Sequence, residues 1–266
     1  MYPFIHIGRF SIGTFGILLW LAAVCACLVL HRNFRRWKIN ADAIGIVALC
    51  TVAGVIGSKL WHVLQEPHEL MAHPLATIFD RAGFAWFGGL VVGILALMWQ
   101  GRSYGIGRLA MLDLATSCAA VGYGVGRIGC LVSGDGDYGK PTTLPWGMGF
   151  PNGLVPTPAG VRVHPTPIYE LIAALFIAWL LWRRGAPERP KPIGQLTGEY
   201  LILTGIARFL VEFIRINPPI YWGLTNAQMA SIGSVVAGAA LVLWARRRDV
   251  FLHIGSEVET APAVTP

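Results

Sequence analysis

The chain has 266 residues, of which 55% are hydrophobic types and only 13% are charged. A soluble domain carries about 25% charged residues, so an ordinary water-facing surface is excluded. The net charge of +7 implies no nucleic-acid partner, because the basic residues stand at the ends of apolar blocks, the pattern of membrane orientation.

The apolar blocks run for about 18–22 residues, enough to cross a hydrocarbon core of about 30 Å. They predict an all-α polytopic membrane protein with about seven spanning helices, at 11–30, 43–63, 83–99, 109–131, 167–183, 197–215 and 227–245. The stretch before the first block is a weak basic n-region. The block itself ends in a basic cluster, not at a small-residue cleavage site, so a cleavable signal peptide is not expected. The third block is short and Gly-rich, as suits close helix packing in lipid. One transmembrane domain is expected over 1–250, with a long Gly- and Pro-rich loop at about 132–166 lying ordered on the membrane surface. The tail at 251–266 is short and polar and is expected to be disordered.

Arginine and lysine set the expected orientation. Thirteen of the 21 basic residues fall on one side, after the first, third, fifth and seventh helices, whereas the other side has only Arg9, Arg81, Lys140 and Arg162. The positive-inside rule puts the amino terminus outside and the carboxy terminus in the cytoplasm. The five cysteines, Cys25, Cys27, Cys50, Cys118 and Cys130, form no C-x-x-C pair. They predict buried thiols, with neither a disulfide framework nor a metal site.

Four cations, Lys59, Arg127, Arg208 and Arg215, fall within spans or at their outer ends. A basic residue at that depth is costly and by default marks a functional site. Arg215, at a helix end, is read as snorkelling to the headgroups. Arg127 and Arg208 are read as functional, because other polar residues gather near them.

Three stretches converge on the outer face: the end of helix 4 from Gly126 to Gly139, the start of helix 5 from His164 to Glu170, and the outer half of helix 6 from Arg208 to Arg215. Arg208 and Glu212 are spaced i, i+4 and can pair. Glycines flank Arg127 and let a ligand approach the backbone. Two guanidinium groups at headgroup depth suit a phosphate, and a phospholipid is the nearest source. The Asp135-Gly136-Asp137 run is read as a loop turn in preference to a cation site. His164 is open between a general base, a headgroup contact and a positional role. Tyr169 and Glu170 are open between substrate contacts and interface anchors.

Gly126-Arg127-Ile128-Gly129 with the polar run after it resembles the G-R-x-G-N-F-x-N-x-E-x-x-G signature of the prolipoprotein diacylglyceryl transferases. His164-Pro165-Thr166-Pro167-Ile168-Tyr169-Glu170 resembles that family's H-P-S-Q-L-Y-E, and Arg208 to Arg215 its R-F-x-V-E-F-x-R. Gly88-Gly89-Leu90 and Gly57-Ser58-Lys59-Leu60 look like two further blocks of it. The resemblance covers about 5–245. It implies an enzyme of the bacterial inner (cytoplasmic) membrane, with its active site toward the outer face. That enzyme moves diacylglyceryl from phosphatidylglycerol to the lipobox cysteine thiol in the signal peptide of a secreted prolipoprotein, with glycerol phosphate leaving and no cofactor.

The resemblance gives Arg127 and Arg208 the phosphate and the charge developing on the leaving group, and Glu212 the orientation of Arg208. Asp135 stands for the signature glutamate. Ser133, Gly139, Tyr169, Glu170 and Lys59 become substrate-binding candidates, and Arg127, Arg208, Glu212, Asp135 and His164 catalytic ones. The departures are Cys130 for asparagine, Leu131 for phenylalanine, Ser133 for a second asparagine, Phe87 for histidine, Phe15 for tyrosine and Lys59 for arginine. Phe15 and Phe87 keep ring shape and lose their polar groups. Two alternatives stay open: a paralogue using the same lipid donor for another acceptor, and a non-catalytic phospholipid-binding protein. A transporter is disfavoured, because the sequence has no internal repeat and no polar groups at mid-membrane.

Overall fold

The computed structural model describes residues 2–79, 85–220 and 222–252. Among these residues, seven helices of at least 18 residues form a bundle: α1 (Thr14–Arg36), α2 (Ala43–Gln65), α5 (Trp86–Ser103), α6 (Arg108–Ser133), α7 (Thr166–Arg184), α8 (Gln195–Glu212) and α9 (Asn226–Arg248). Two short helices, α3 (Pro67–Ala72) and α4 (Pro74–Phe79), sit between α2 and α5. Each predicted span coincides with one long helix. Five of them, α1, α2, α6, α7 and α9, are long and apolar enough to cross a membrane. α5 and α8 have only 18 residues each, and α8 carries Glu199, Arg208 and Glu212.

Boundaries shift by up to six residues from the sequence reading, as where α1 runs on to Arg36, and two of the shifts change what a segment is. Residues placed at the start of the first span belong to an antiparallel hairpin, β1 (Phe4–Ile7) with β2 (Phe10–Gly13), and α1 begins only at Thr14. The pairing of Ile7 with Phe10 leaves a two-residue turn at Gly8-Arg9, with Gly8 at φ 60°, the conformation a tight hairpin turn requires. The sixth predicted span stops at Glu212, and Arg215 lies past the helix end. Arg81 and most of the tail, 253–266, lie outside the described residues.

α6 is the hub. It packs on α1, α7, α5 and α8, and half of its most apolar stretch is buried, against 17% for α1 and for α2. Its mean hydropathy is correspondingly lower, 1.3 against 2.2 for α1, because a helix surrounded by protein needs no apolar face toward lipid. The core between α1, α2 and α6 is built on Leu30, Phe34, Ile46, Met111 and Leu114. A second core joins α6, α7 and α8 through Ala120, Ile177, Leu181 and Leu196. Elsewhere backbones touch directly. A Cβ on Gly57 of α2 would stand 2.5 Å from the Gly88 carbonyl oxygen of α5, and one on Gly198 of α8 would stand 2.7 Å from that of Gly238 in α9. These are close approaches that only glycine permits. The outward faces carry exposed apolar side chains such as Trp20 (70%) and Ile44 (72%).

The loop between α6 and α7 has no helix but is well tied. The Tyr138 and Phe150 rings stack at 5.1 Å over Val163, and Phe150 is only 1% exposed, which contributes about 2 kcal/mol by burial. Met148 and Val163 exchange backbone hydrogen bonds of 3.0 and 2.9 Å. Gly139 pairs with Arg215 in an isolated bridge, and Lys140 N donates to Ile214 O at 2.8 Å. The loop is thereby stitched to the chain just past α8.

Candidate active site

Helical spacing and one proline build the site. Tyr123 and Arg127 are four residues apart on α6, and so share a face. Pro167 stands in the first turn of α7, where a missing N–H is tolerated, and Glu170 follows just past that turn, in contact with Tyr123 and Arg127 of α6 and with Arg208 of α8. Arg208 and Glu212 share the last turns of α8. Thr166 Oγ1 donates to the Asp137 carbonyl and pins the loop against α7.

Six charged side chains meet there. Arg208 donates to Glu170 Oε1 at 2.5 Å and pairs with Glu212 Oε2 at 3.0 Å. Arg127 donates to the Tyr123 hydroxyl at 2.8 Å and pairs with Asp137. Its Nε stands 3.0 Å from Glu170 Oε2. Tyr123 in turn donates to Glu170 Oε1 at 3.0 Å. Arg215 pairs with Asp137, donates to the Asp137 carbonyl at 3.1 Å, and lies 3.7 Å from Glu170 and 3.6 Å from Glu212. Glu212 Oε1 accepts from Asn217 at 2.5 Å and from Thr225 at 3.0 Å.

Three guanidinium groups therefore face three carboxylates. Four buried atoms, Arg127 Nε, Arg215 Nε, Glu170 Oε2 and Glu212 Oε2, have no hydrogen-bond partner, although Arg127 Nε and Glu170 Oε2 are 3.0 Å apart. The pair has ion-pair contact without hydrogen-bond alignment. Desolvation of such charges is large and is only partly offset by misaligned pairs. Unmatched polar atoms of this kind are rare in a purely structural core.

In the loop, burial pushes Asp137 up, but Arg215 and Arg127 prevail and hold its carboxyl below the ordinary aspartate value. Burial and the adjacent Asp137 push Asp135 the other way.

Arg127, Arg208 and Glu212 come together as expected. Glu170 is no edge anchor: it is 5% exposed and touches all three arginines. Arg215 does not snorkel. It is 6% exposed and points inward, because its Glu212 and Asp137 partners lie on the bundle side. Asp135 is not the acid on the arginines; Asp137 is. Asp135 instead accepts the Asp137 N–H at 3.2 Å and neighbours Cys130. Ser133 is fully buried and donates back to the Gly129 carbonyl at 2.7 Å, so its hydroxyl is not presented to a substrate.

Gly139 serves as close approach: a Cβ there would stand 2.5 Å from the Ile214 oxygen. His164 and Tyr169 form a neighbouring corner, with His164 Nδ1 3.3 Å from the Tyr169 hydroxyl, which accepts from Trp146 at 2.8 Å. Lys59 is half-buried on α2, which packs on α5 and α1. Phe15 lies against Gly129, beside Cys130, while Phe87 is 54% exposed against Trp86. The Cys130 sulfur and the Asp135 and Asp137 oxygens lie within 4.8 Å of one another, a spacing that can hold a metal. Two guanidinium groups on Asp137 oppose a cation at that corner.

Sequence reasoning missed Tyr123, Asn217, Thr225 and the inward role of Arg215. Tyr123 carried a signal, four residues before Arg127. Arg215 carried one too, three residues after Glu212.

Comparison with known proteins bears on the same residues. The family model described as prolipoprotein diacylglyceryl transferase matches residues 3–244. A protein of Pseudomonas paraeruginosa is 31% identical over 258 residues, covering 91% of this chain and 92% of the relative. One from Nitrosomonas europaea is 31% identical over 259 residues, covering 92% and 90%. One from Pseudomonas putida is 29% identical over 258 residues, covering 91% and 92%. All three are named phosphatidylglycerol–prolipoprotein diacylglyceryl transferase. With the match running through the arginine-bearing ends of α6 and α8, the chain belongs to the prolipoprotein diacylglyceryl transferase family.

Proposed function

We propose that this protein transfers the diacylglyceryl group of phosphatidylglycerol to the lipobox cysteine thiol of a secreted lipoprotein precursor. The observation that carries this reading is the buried cluster of Arg127, Arg208 and Arg215, set where three helix ends meet one loop. Names of the relatives support the substrates. Seven spans with the amino terminus outside account for the basic residues at the ends of α1, α5, α7 and α9. The same orientation puts the cluster toward the outer face of a bacterial inner membrane, within one domain over 1–250.

The reaction breaks the bond between the glycerol carbon and phosphate oxygen and forms a carbon–sulfur bond at that carbon. A singly charged phosphodiester becomes a doubly charged phosphate monoester, and the thiol proton is released. Arg127 and Arg208, with Arg215 beside them, hold the phosphate and offset its growing charge. Glu212 and Glu170 fix the two guanidinium planes. Asp135 takes the thiol proton: a carboxylate raised by burial is a better base than one held down by arginine. His164 and Tyr169 form the neighbouring corner that orients lipid or peptide, and Lys59, on α2, is a further lipid contact away from the cluster.

The test is complementation of a strain depleted of its own diacylglyceryl transferase. Growth and lipid-modified lipoprotein are expected from the parent and lost with Arg127→Ala. Failure of the parent despite membrane expression overturns lipoprotein transfer in that host. Phe15, Phe87 and Cys130 then favour a paralogue that gives the same lipid to another acceptor.

A further inference from the structure

The arginine cluster is already neutral. Arg127, Arg208 and Arg215 are matched one for one by Asp137, Glu170 and Glu212. A phosphodiester adds one negative charge, and no guanidinium is left over to meet it. An anion brought among these groups finds the guanidinium donors already taken, and the repulsion of the carboxylates offsets the attraction of the arginines. Some carboxylate must step aside for a lipid headgroup to enter.

The three carboxylates are not equivalent. The Glu170 and Glu212 side chains are 4% and 0% exposed, whereas that of Asp137 is 30% exposed. Glu170 is held by Tyr123 as well as by arginines, and Glu212 by Asn217 and Thr225. Asp137 stands on the loop, and its carboxylate is held by arginines and, more weakly, by the Cys130 thiol. Its two oxygens go to different guanidinium groups, Oδ2 to Arg127 and Oδ1 to Arg215. That is the bridge two non-ester phosphate oxygens would make. Its backbone is anchored separately, by Thr166 Oγ1 and Arg215 on its carbonyl, so the side chain can rotate away while the loop stays in place.

We propose that Asp137 is a resident counter-ion standing where the lipid phosphate binds, and that phosphatidylglycerol enters by displacing this carboxylate from Arg127 and Arg215. Asp137 then sets lipid affinity. When the glycerol phosphate dianion forms, the carboxylate competes for the same two guanidinium groups and helps expel it. This rests on the transferase reading for the identity of the lipid.

The experiment is direct binding of short-chain phosphatidylglycerol to the purified protein in phosphatidylcholine nanodiscs. Parent, Asp137→Asn, Asp137→Ser and Asp137→Glu are compared, with thermal unfolding of each. Both neutral variants are expected to bind about tenfold more tightly, while Asp137→Glu stays near the parent. In turnover, Asp137→Asn lowers KM for the lipid without raising kcat, whereas loss of a merely structural contact raises KM. Asn and Ser variants that are folded and bind no more tightly than the parent overturn the exchange. A parent that binds phosphatidylglycerol with no variant effect defeats this proposal alone. A parent without binding above the phosphatidylcholine background defeats the transferase reading beneath it.

Discussion

The two ends of the helix bundle both bury charge, and they dispose of it differently. At the end where α1 and α7 finish and α8 begins, helix termini absorb charge beside one two-pronged pair of Arg184 with Glu199. Arg36 donates to the Trp182 and Gly185 carbonyls, each at 2.7 Å, and so caps the end of α7. Asp113 of α6 accepts from the Gly194 and Thr197 amides at 2.6 and 2.7 Å, and so caps the start of α8. Orphan groups at helix ends and side-chain charges satisfy one another there. At the opposite end, Arg127, Arg208 and Arg215 meet carboxylates with little help from helix termini, and four buried atoms go without an aligned partner. A ligand can still improve the second arrangement and has nothing to add to the first. The contrast supports the proposed reading of the first as a structural belt and of the second as the reactive site.

The largest effect expected is at Arg127. Arg127→Lys keeps the charge and loses the two-pronged donor, and should lower transfer by about 100-fold or more. Arg127→Ala adds a folding defect of about 3–5 kcal/mol, because Glu170 and Asp137 lose a buried partner. Transfer assays and thermal unfolding in detergent separate the two. A Lys variant with parental transfer breaks the distinction between the ends.

Arg36→Ala should do the reverse. Loss of two charge-assisted bonds to carbonyls should destabilise by about 2–3 kcal/mol, with transfer per folded molecule unchanged. Asp113→Asn should cost about 1–2 kcal/mol through the weakened cap of α8, again without altering turnover. A turnover defect in either at constant folded fraction sinks the structural assignment.

The smallest effects concern pH. Asp137 is held below its unfolded value, so its stabilising contribution is present above the ordinary aspartate range and is lost as pH falls through its folded value. Protection of the 134–165 loop from proteolysis should accordingly hold at neutral pH and fall in acid. Asp135 is held above its unfolded value, so it favours folding at low pH and loses that contribution as pH rises through its folded value. Asp135→Asn should therefore slightly stabilise the protein at neutral pH, as measured by thermal unfolding, while slowing transfer.

Much of this was legible in the sequence, because it depends on spacing along one helix. The apolar blocks located the seven long helices, and the i, i+4 spacing paired Arg208 with Glu212. The hub role of Glu170 was not legible, because it arises only when the start of α7 is wedged between α6 and α8. The choice of Asp137 over Asp135 was equally hidden. It is set by two loop glycines at positive φ, Gly134 at 60° and Gly136 at 93°, which turn one acid toward the arginines and the other toward Cys130. The hairpin was partly readable: after the Gly8-Arg9 turn, Phe10 and Ile12 alternate with Ser11 and Gly13, a period of two whose last residues, 11–13, were counted into the first helical span.

The central claim is that the arginine cluster performs lipid chemistry while the opposite belt only holds the fold. Its most direct test is transfer from labelled phosphatidylglycerol to a cysteine peptide in proteoliposomes. The parent, Arg127→Lys and Arg36→Lys are compared per folded molecule. The account predicts labelled thioether from the parent and from Arg36→Lys, and at least a hundredfold less from Arg127→Lys. Equal losses in the two variants, or full transfer by Arg127→Lys, would contradict it.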